Sequence, residues 1–117
     1  MGINLTVLAS SFREHRGEFL PTASLRFERD HRLFAQLSAD ATPPLVRLLP
    51  PGLQAGVYRD AGLTFTATDG YGEPLTFATP GDLRALRLPG DLAPWNGAVL
   101  AFLRALPPDH RLILFWS

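Results

Sequence analysis

The chain closes on Leu112, Ile113, Leu114, Phe115 and Trp116, five apolar residues in a row after Arg111. Side chains of a β-strand alternate between the two faces of its sheet, so a half-exposed strand alternates apolar with polar. An unbroken apolar run of strand length must be buried on both faces and belongs in the interior of a sheet. The opposite end of the chain offers a neighbour for it. Ile3, Leu5 and Val7 recur at period two, which predicts a strand over residues 3–9. The first and last segments are therefore expected side by side in one sheet.

The intervening sequence divides at its prolines and glycines. Residues 10–22 are polar and broken by Gly17 and Pro21, which predicts a loop. Ser24-Leu25-Arg26-Phe27-Glu28 alternates apolar with charged, the pattern of a strand with one wet face. Asp30 stands where a helix N-cap would, and Leu33, Phe34 and Leu37 follow at helical spacing, predicting a helix over 31–38. Residues 40–56 carry Pro43, Pro44, Pro50, Pro51, Gly52 and Gly56 and cannot hold a long helix or a central strand. Val57–Arg59 and Leu63–Ala67 flank Asp60-Ala61-Gly62 as a hairpin, with Leu63, Phe65 and Ala67 expected on its inner face. Asp69-Gly70-Tyr71-Gly72 reads as a turn, and Leu75-Thr76-Phe77 as a short strand. Thr79-Pro80-Gly81-Asp82 is a helix start, predicting a helix over 80–87. A further helix begins near Pro94 with Trp95, Val99, Phe102, Leu103 and Leu106 on one face, and Pro107-Pro108 ends it. The expected fold class is α+β: a mixed sheet of four to six short strands with about three helices, in a single domain spanning 1–117.

Composition removes several kinds of chemistry. The chain has no cysteine, which excludes disulfides, thiolate catalysis and zinc–cysteine sites, and suits a reducing, cytoplasmic setting. All 11 basic residues are arginine, so neither a Schiff-base lysine nor a Walker-type phosphate lysine exists. Formal net charge is zero, and no nucleic acid is expected as a partner. The longest apolar stretches fall well short of the roughly 20 residues needed to cross a bilayer, so no membrane association is expected. His15, His31 and His110 show no metal-ligand spacing, and neither a metal nor a cofactor is expected.

One stretch resembles a known group. In Arg29-Asp30-His31-Arg32-Leu33-Phe34-Ala35-Gln36-Leu37, the residues Arg29, Asp30, Leu33, Phe34, Ala35 and Leu37 match a pattern of uncharacterised phage and prophage proteins, Arg-Asp-Tyr-x-Leu-Phe-Ala-x-Leu. His31 stands where that group has tyrosine. Pro50-Pro51-Gly52-Leu53 is similar to the group's Pro-Arg-Gly-Leu, with proline in place of arginine. The resemblance implies a small accessory protein of mobile-element type and supplies no activity.

Candidate binding residues concentrate early in the chain. Arg13, His15, Arg16, Arg26 and Arg29 could converge on a small anionic ligand through forked guanidinium contacts. The same span holds Glu14, Glu18, Glu28 and Asp30, so these charges also read as a network of surface ion pairs. Trp95 and Trp116 read as core, whereas Tyr71 lies between two glycines in a turn and is the aromatic residue expected to face a ligand or partner. The leading expectation is a non-enzymatic binding module that recognises a protein partner or a small anionic ligand. A small phosphate-ester hydrolase using His15 or His31 is the enzymatic alternative. A self-associating protein, as a homodimer, is the structural one.

Overall fold

A computed structural model describes residues 3–10, 17–59 and 62–117. In chain order the elements are β1 (Leu5–Ser10), β2 (Glu18–Phe19), β3 (Ala23–Arg26), α1 (His31–Leu37), β4 (Arg47–Leu48), β5 (Gln54–Arg59), β6 (Gly62–Thr66), β7 (Thr76–Ala78), a 3₁₀ turn (Asp82–Ala85), α2 (Pro94–Ala105) and β8 (Arg111–Trp116). The class is α+β, with eight strands in two sheets and two α-helices among the described residues. The larger sheet has the order β3-β1-β8-β7-β4 and the smaller β2-β5-β6.

The terminal strands lie together at the centre of the larger sheet. β1 pairs antiparallel with β8 from Leu5↔Trp116 to Ser10↔Arg111. Beyond this ladder Asn4 N–H donates to Ser117 O at 2.7 Å and Ser117 N–H donates to Asn4 O at 2.9 Å. The apolar run of β8 is covered on both faces, as its composition requires. Leu112 and Leu114, with Leu5, Val7 and Ala9 of β1, face a core built with α1, α2 and the 3₁₀ turn. Ile113 and Phe115, with Leu8 and Phe77, face a second core built with Phe19, Ala55 and Val57 of the smaller sheet. The two cores place helices on one side of the central sheet and three strands on the other.

Several expectations are corrected. The central sheet is antiparallel throughout, not mixed, and the parallel pair is β2 with β5 in the smaller sheet. The segment read as a loop over 10–22 holds β2, whose Phe19 is buried; residues 11–16 lie outside the described residues. The proline-rich span still carries β4, a two-residue edge strand fitted between Pro44 and Pro50. The helix expected over 80–87 is a single 3₁₀ turn. The expected helix start is present as a reciprocal pair, with Asp82 N–H donating to Thr79 Oγ1 at 3.2 Å and Thr79 N–H donating to Asp82 Oδ2 at 2.9 Å. Pro89 disfavours helical backbone at Leu88, which leaves little room for a longer helix.

The hairpin presents the face opposite to the one expected. Its register sets Ala55 against Thr66 and Val57 against Thr64, so the threonines share the core face with Ala55 and Val57. Leu63 and Phe65 pack instead on the outer face, over Gly56. A Cβ at Gly56 would sit 2.9 Å from Leu63 Cδ1 and 3.1 Å from Pro21 Cδ, so the glycine makes space for that cluster. The face of α2 keeps Val99, Leu103 and Leu106 at the core as expected but is rotated at its other positions. Asn96, Val99, Leu100 and Leu103 are buried, while Trp95 and Phe102 are about half exposed. Asn96 displaces Trp95 from the core because its amide is fully used: Oδ1 accepts from Glu28 N–H at 2.8 Å and Nδ2 donates to Glu28 O at 2.9 Å. Trp95 stays outside with its Nε1–H donating to Arg26 O at 2.6 Å.

Gln36 of α1 repeats the device. Its Oε1 accepts from Arg87 N–H at 2.8 Å and its Nε2 donates to Arg87 O at 2.8 Å. Each helix thus grips, through one side-chain amide, the backbone leading into the other helix. No helix among the described residues is long and apolar enough to cross a membrane.

Candidate functional site

The principal concavity lies on the helix side of the central sheet. Its first wall is α1 and the residues that flank it. Asp30 starts this wall as the N-cap, its Oδ1 accepting from Arg32 N–H at 3.0 Å and Leu33 N–H at 3.3 Å. Burial pushes the Asp30 carboxyl up, but the Leu33 amide, the Arg32 guanidinium and the Arg32 amide outweigh it and hold the group below its ordinary value of 3.8. Helical spacing then sets His31, Phe34, Ala35 and Ser38 along the cleft, with Ala39 and Asp40 beyond the helix end.

The opposite wall is the turn over 69–74, organised by Asp69. Its Oδ1 accepts from Tyr71 N–H at 2.8 Å and Glu73 N–H at 3.1 Å, and its own N–H donates to Glu73 O at 2.8 Å. Gly72 has φ of +79°, a conformation that glycine adopts without a Cβ penalty. Gly70 N–H donates to Trp116 O at 2.8 Å, and a Cβ at Gly70 would approach that same oxygen to 3.0 Å. The turn is thereby docked on the end of β8, with the half-exposed Tyr71 ring held at the cleft.

Between these walls the floor is largely apolar. Phe34 meets Trp116 edge to face, with ring centres 5.4 Å apart and planes at 82°. Ile3, Leu48 and Pro74 complete the apolar lining, and Thr76 lies deep in it. The volume is about 840 Å³, within the range of roughly 300–1,000 Å³ usual for ligand-accepting clefts. Charge in the lining is mostly negative: Asp30, Asp40, Asp69 and Glu73 stand against Arg29 and His31. Asp30 and Asp69 are bonded to backbone amides, whereas Asp40 and Glu73 are exposed and their carboxylates make no hydrogen bond or ion pair among the described residues. Arg29 is engaged locally, its Nε–H donating to Asn4 Oδ1 at 3.1 Å.

The structure brings together two of the six expected binding residues. Arg29 and Tyr71 line the same cleft from opposite walls. Arg26 lies on the other face of the sheet, because it pairs with Thr6, whose neighbours Leu5 and Val7 face the helices. Arg13, His15 and Arg16 lie outside the described residues. Elsewhere the charges form local pairs, such as Arg32 with Asp30 at 3.4 Å and with Asp91 at 2.8 Å. His31 lines the cleft, and His110 contacts its neighbour Asp109 at 3.1 Å in a separate turn. Among the described residues no group of three or more histidine, aspartate or glutamate side chains is arranged to hold a metal ion.

Sequence reasoning overlooked Phe34, Trp116, Asp40, Glu73 and Thr76 as cleft residues. Phe34 and Trp116 read as core and do pack into it, but each also shows an edge to the cleft. Asp40 and Glu73 sit in irregular segments whose convergence depends on the β7–β8 pairing, and no local spacing signals it. No family model, curated relative or solved structure matches the chain. The class defined by the fold is α+β, a central antiparallel sheet with helices on one face and a small sheet on the other.

Proposed function

We propose that the protein is a binding module that holds a segment of a protein partner in the cleft between α1 and the 69–74 turn. The observation that carries this reading is the aromatic lining of the cleft, the half-exposed Tyr71 beside the part-buried Trp116 and the buried Phe34, set between two braced walls. Exposed aromatic area in a preformed concavity offers a partner large apolar burial at little ordering cost. The stretch that resembles phage and prophage proteins forms the α1 wall, which suits an accessory, partner-recruiting role.

The test is selection of a random displayed peptide library on the folded protein. Enriched peptides should perturb the NMR amide signals of Ala35, Ala39 and Tyr71. Tyr71→Ala should weaken them at least tenfold, about 1.4 kcal/mol, with an unchanged thermal midpoint. Failure to enrich any peptide, or enriched peptides that perturb only signals remote from the cleft, would reject the reading.

A further inference from the structure

We infer that the segment held in the cleft is cationic, presenting arginine or lysine beside an apolar side chain; this rests on the binding-module reading and names the chemistry of its partner. Two independent observations lead here. The first is charge. The carboxylates of Asp40 and Glu73 stand on opposite walls with no partner among the described residues, while Arg29 is already bonded to Asn4. An acidic rim around an apolar floor complements a basic residue whose neighbour is hydrophobic, and it repels an acidic segment. The second is a buried hydroxyl. Thr76 is only 5% exposed and lines the cleft, and its Oγ1 has no hydrogen-bond partner. Register places Thr76 opposite Leu114, on the helix side of the sheet where the cleft lies. A buried hydroxyl without a partner is costly, and an extended peptide backbone entering the cleft supplies donor and acceptor together.

The arrangement assigns three roles. Tyr71 and the Phe34–Trp116 pair take the apolar side chain. Asp40 and Glu73 take the flanking cations. Thr76 Oγ1 takes a backbone group of the segment. None of these requires Arg29 to release Asn4.

The experiment uses peptides enriched from the displayed library, synthesised singly, with the full chain. Peptides that map to the cleft should carry an excess of arginine or lysine next to an aliphatic or aromatic residue. Their affinity should fall at least fivefold between low salt and 0.5 M salt, since exposed pairs are screened over a few ångströms there. The double variant Asp40→Arg, Glu73→Arg should bind them at least tenfold more weakly. It should also bind best the peptide whose basic residues are exchanged for glutamate, a rescue that general damage to the fold would not produce. Thr76→Val should weaken the peptide at least threefold while leaving the thermal midpoint equal or higher. Cleft-binding peptides without cationic enrichment, or with affinity indifferent to salt and to charge reversal, would overturn the inference and leave the binding-module reading intact. Equal binding by Thr76→Val would overturn the assignment of the hydroxyl. Absence of cleft-binding peptides would reject both.

Discussion

At the scale of single residues, the side chains that matter most are polar ones placed where apolar ones would be expected. Asn96 is fully buried and satisfies both backbone groups of Glu28. Asn96→Ala removes both bonds to the part-buried backbone of Glu28 and empties a fully buried site, so it should lower stability by roughly 1–3 kcal/mol. Urea denaturation followed by circular dichroism measures this, and a loss below about 0.5 kcal/mol would show that the amide is dispensable. Asp82 provides a test in acid. Burial pushes its carboxyl up, but the Thr79 amide, the Arg47 guanidinium at 2.7 Å and the Thr79 hydroxyl hold it below its ordinary 3.8. A carboxyl whose pKa is depressed by folding stabilises the folded state fully above its unfolded pKa, and that contribution is lost as pH falls through the folded value. Stability should therefore be insensitive to this group above about pH 5 and decline through and below pH 4. Asp82→Asn should flatten that decline in urea midpoints measured across the acid range; an unchanged slope would assign the acid sensitivity elsewhere.

At the scale of elements, α2 and the β5–β6 hairpin explain what the sequence could and could not disclose. Asp30 as an N-cap and Leu33, Phe34 and Leu37 as the buried face of α1 were legible, because cap chemistry and helical spacing are local. The face of α2 was legible at Val99, Leu103 and Leu106 but not at Asn96 and Leu100. Ranking by hydrophobicity selects Trp95 and Phe102, yet the helix turns Asn96, Val99, Leu100 and Leu103 inward. That choice depends on Glu28, which is distant in sequence. The hairpin failed for a similar reason: Leu63 and Phe65 are apolar at period two, but the space above Gly56 accommodates them on the outer face. A shift of one residue in register reverses every side chain of a strand. The rotation of α2 has a direct consequence. Leu103→Ala should destabilise by about 2–5 kcal/mol, while Phe102→Ala on the outer face should change stability by less than about 1 kcal/mol. Parallel thermal and denaturant melts decide it, and a comparable loss for the two would restore the face inferred from hydrophobicity, which holds both residues. The cleft was legible only at Arg29, His31 and Tyr71, since a turn between glycines and a charged helix start announce exposure. The remaining wall residues meet through strand pairings that no short window contains.

At the scale of the whole molecule, β1 and β8 hold the two cores together, each contributing side chains to both. Their amides should exchange with solvent most slowly, approaching the rate set by global unfolding. The amides of β4, a two-residue strand at a sheet edge, should exchange far sooner. Hydrogen exchange read by NMR tests this order, and fast exchange along Leu8 or Ile113 would contradict it. The reciprocal bonds of Asn4 and Ser117 have a practical corollary. Because Ile3 and Trp116 both border the cleft, a segment joined directly ahead of Ile3 or after Ser117 is leashed to the mouth of the cavity. A short flexible leash holds its cargo at an effective concentration in the millimolar range. On the proposed reading, a positively charged tail attached there competes from within the same molecule, and titrations on such a fusion understate the affinity of the untagged protein.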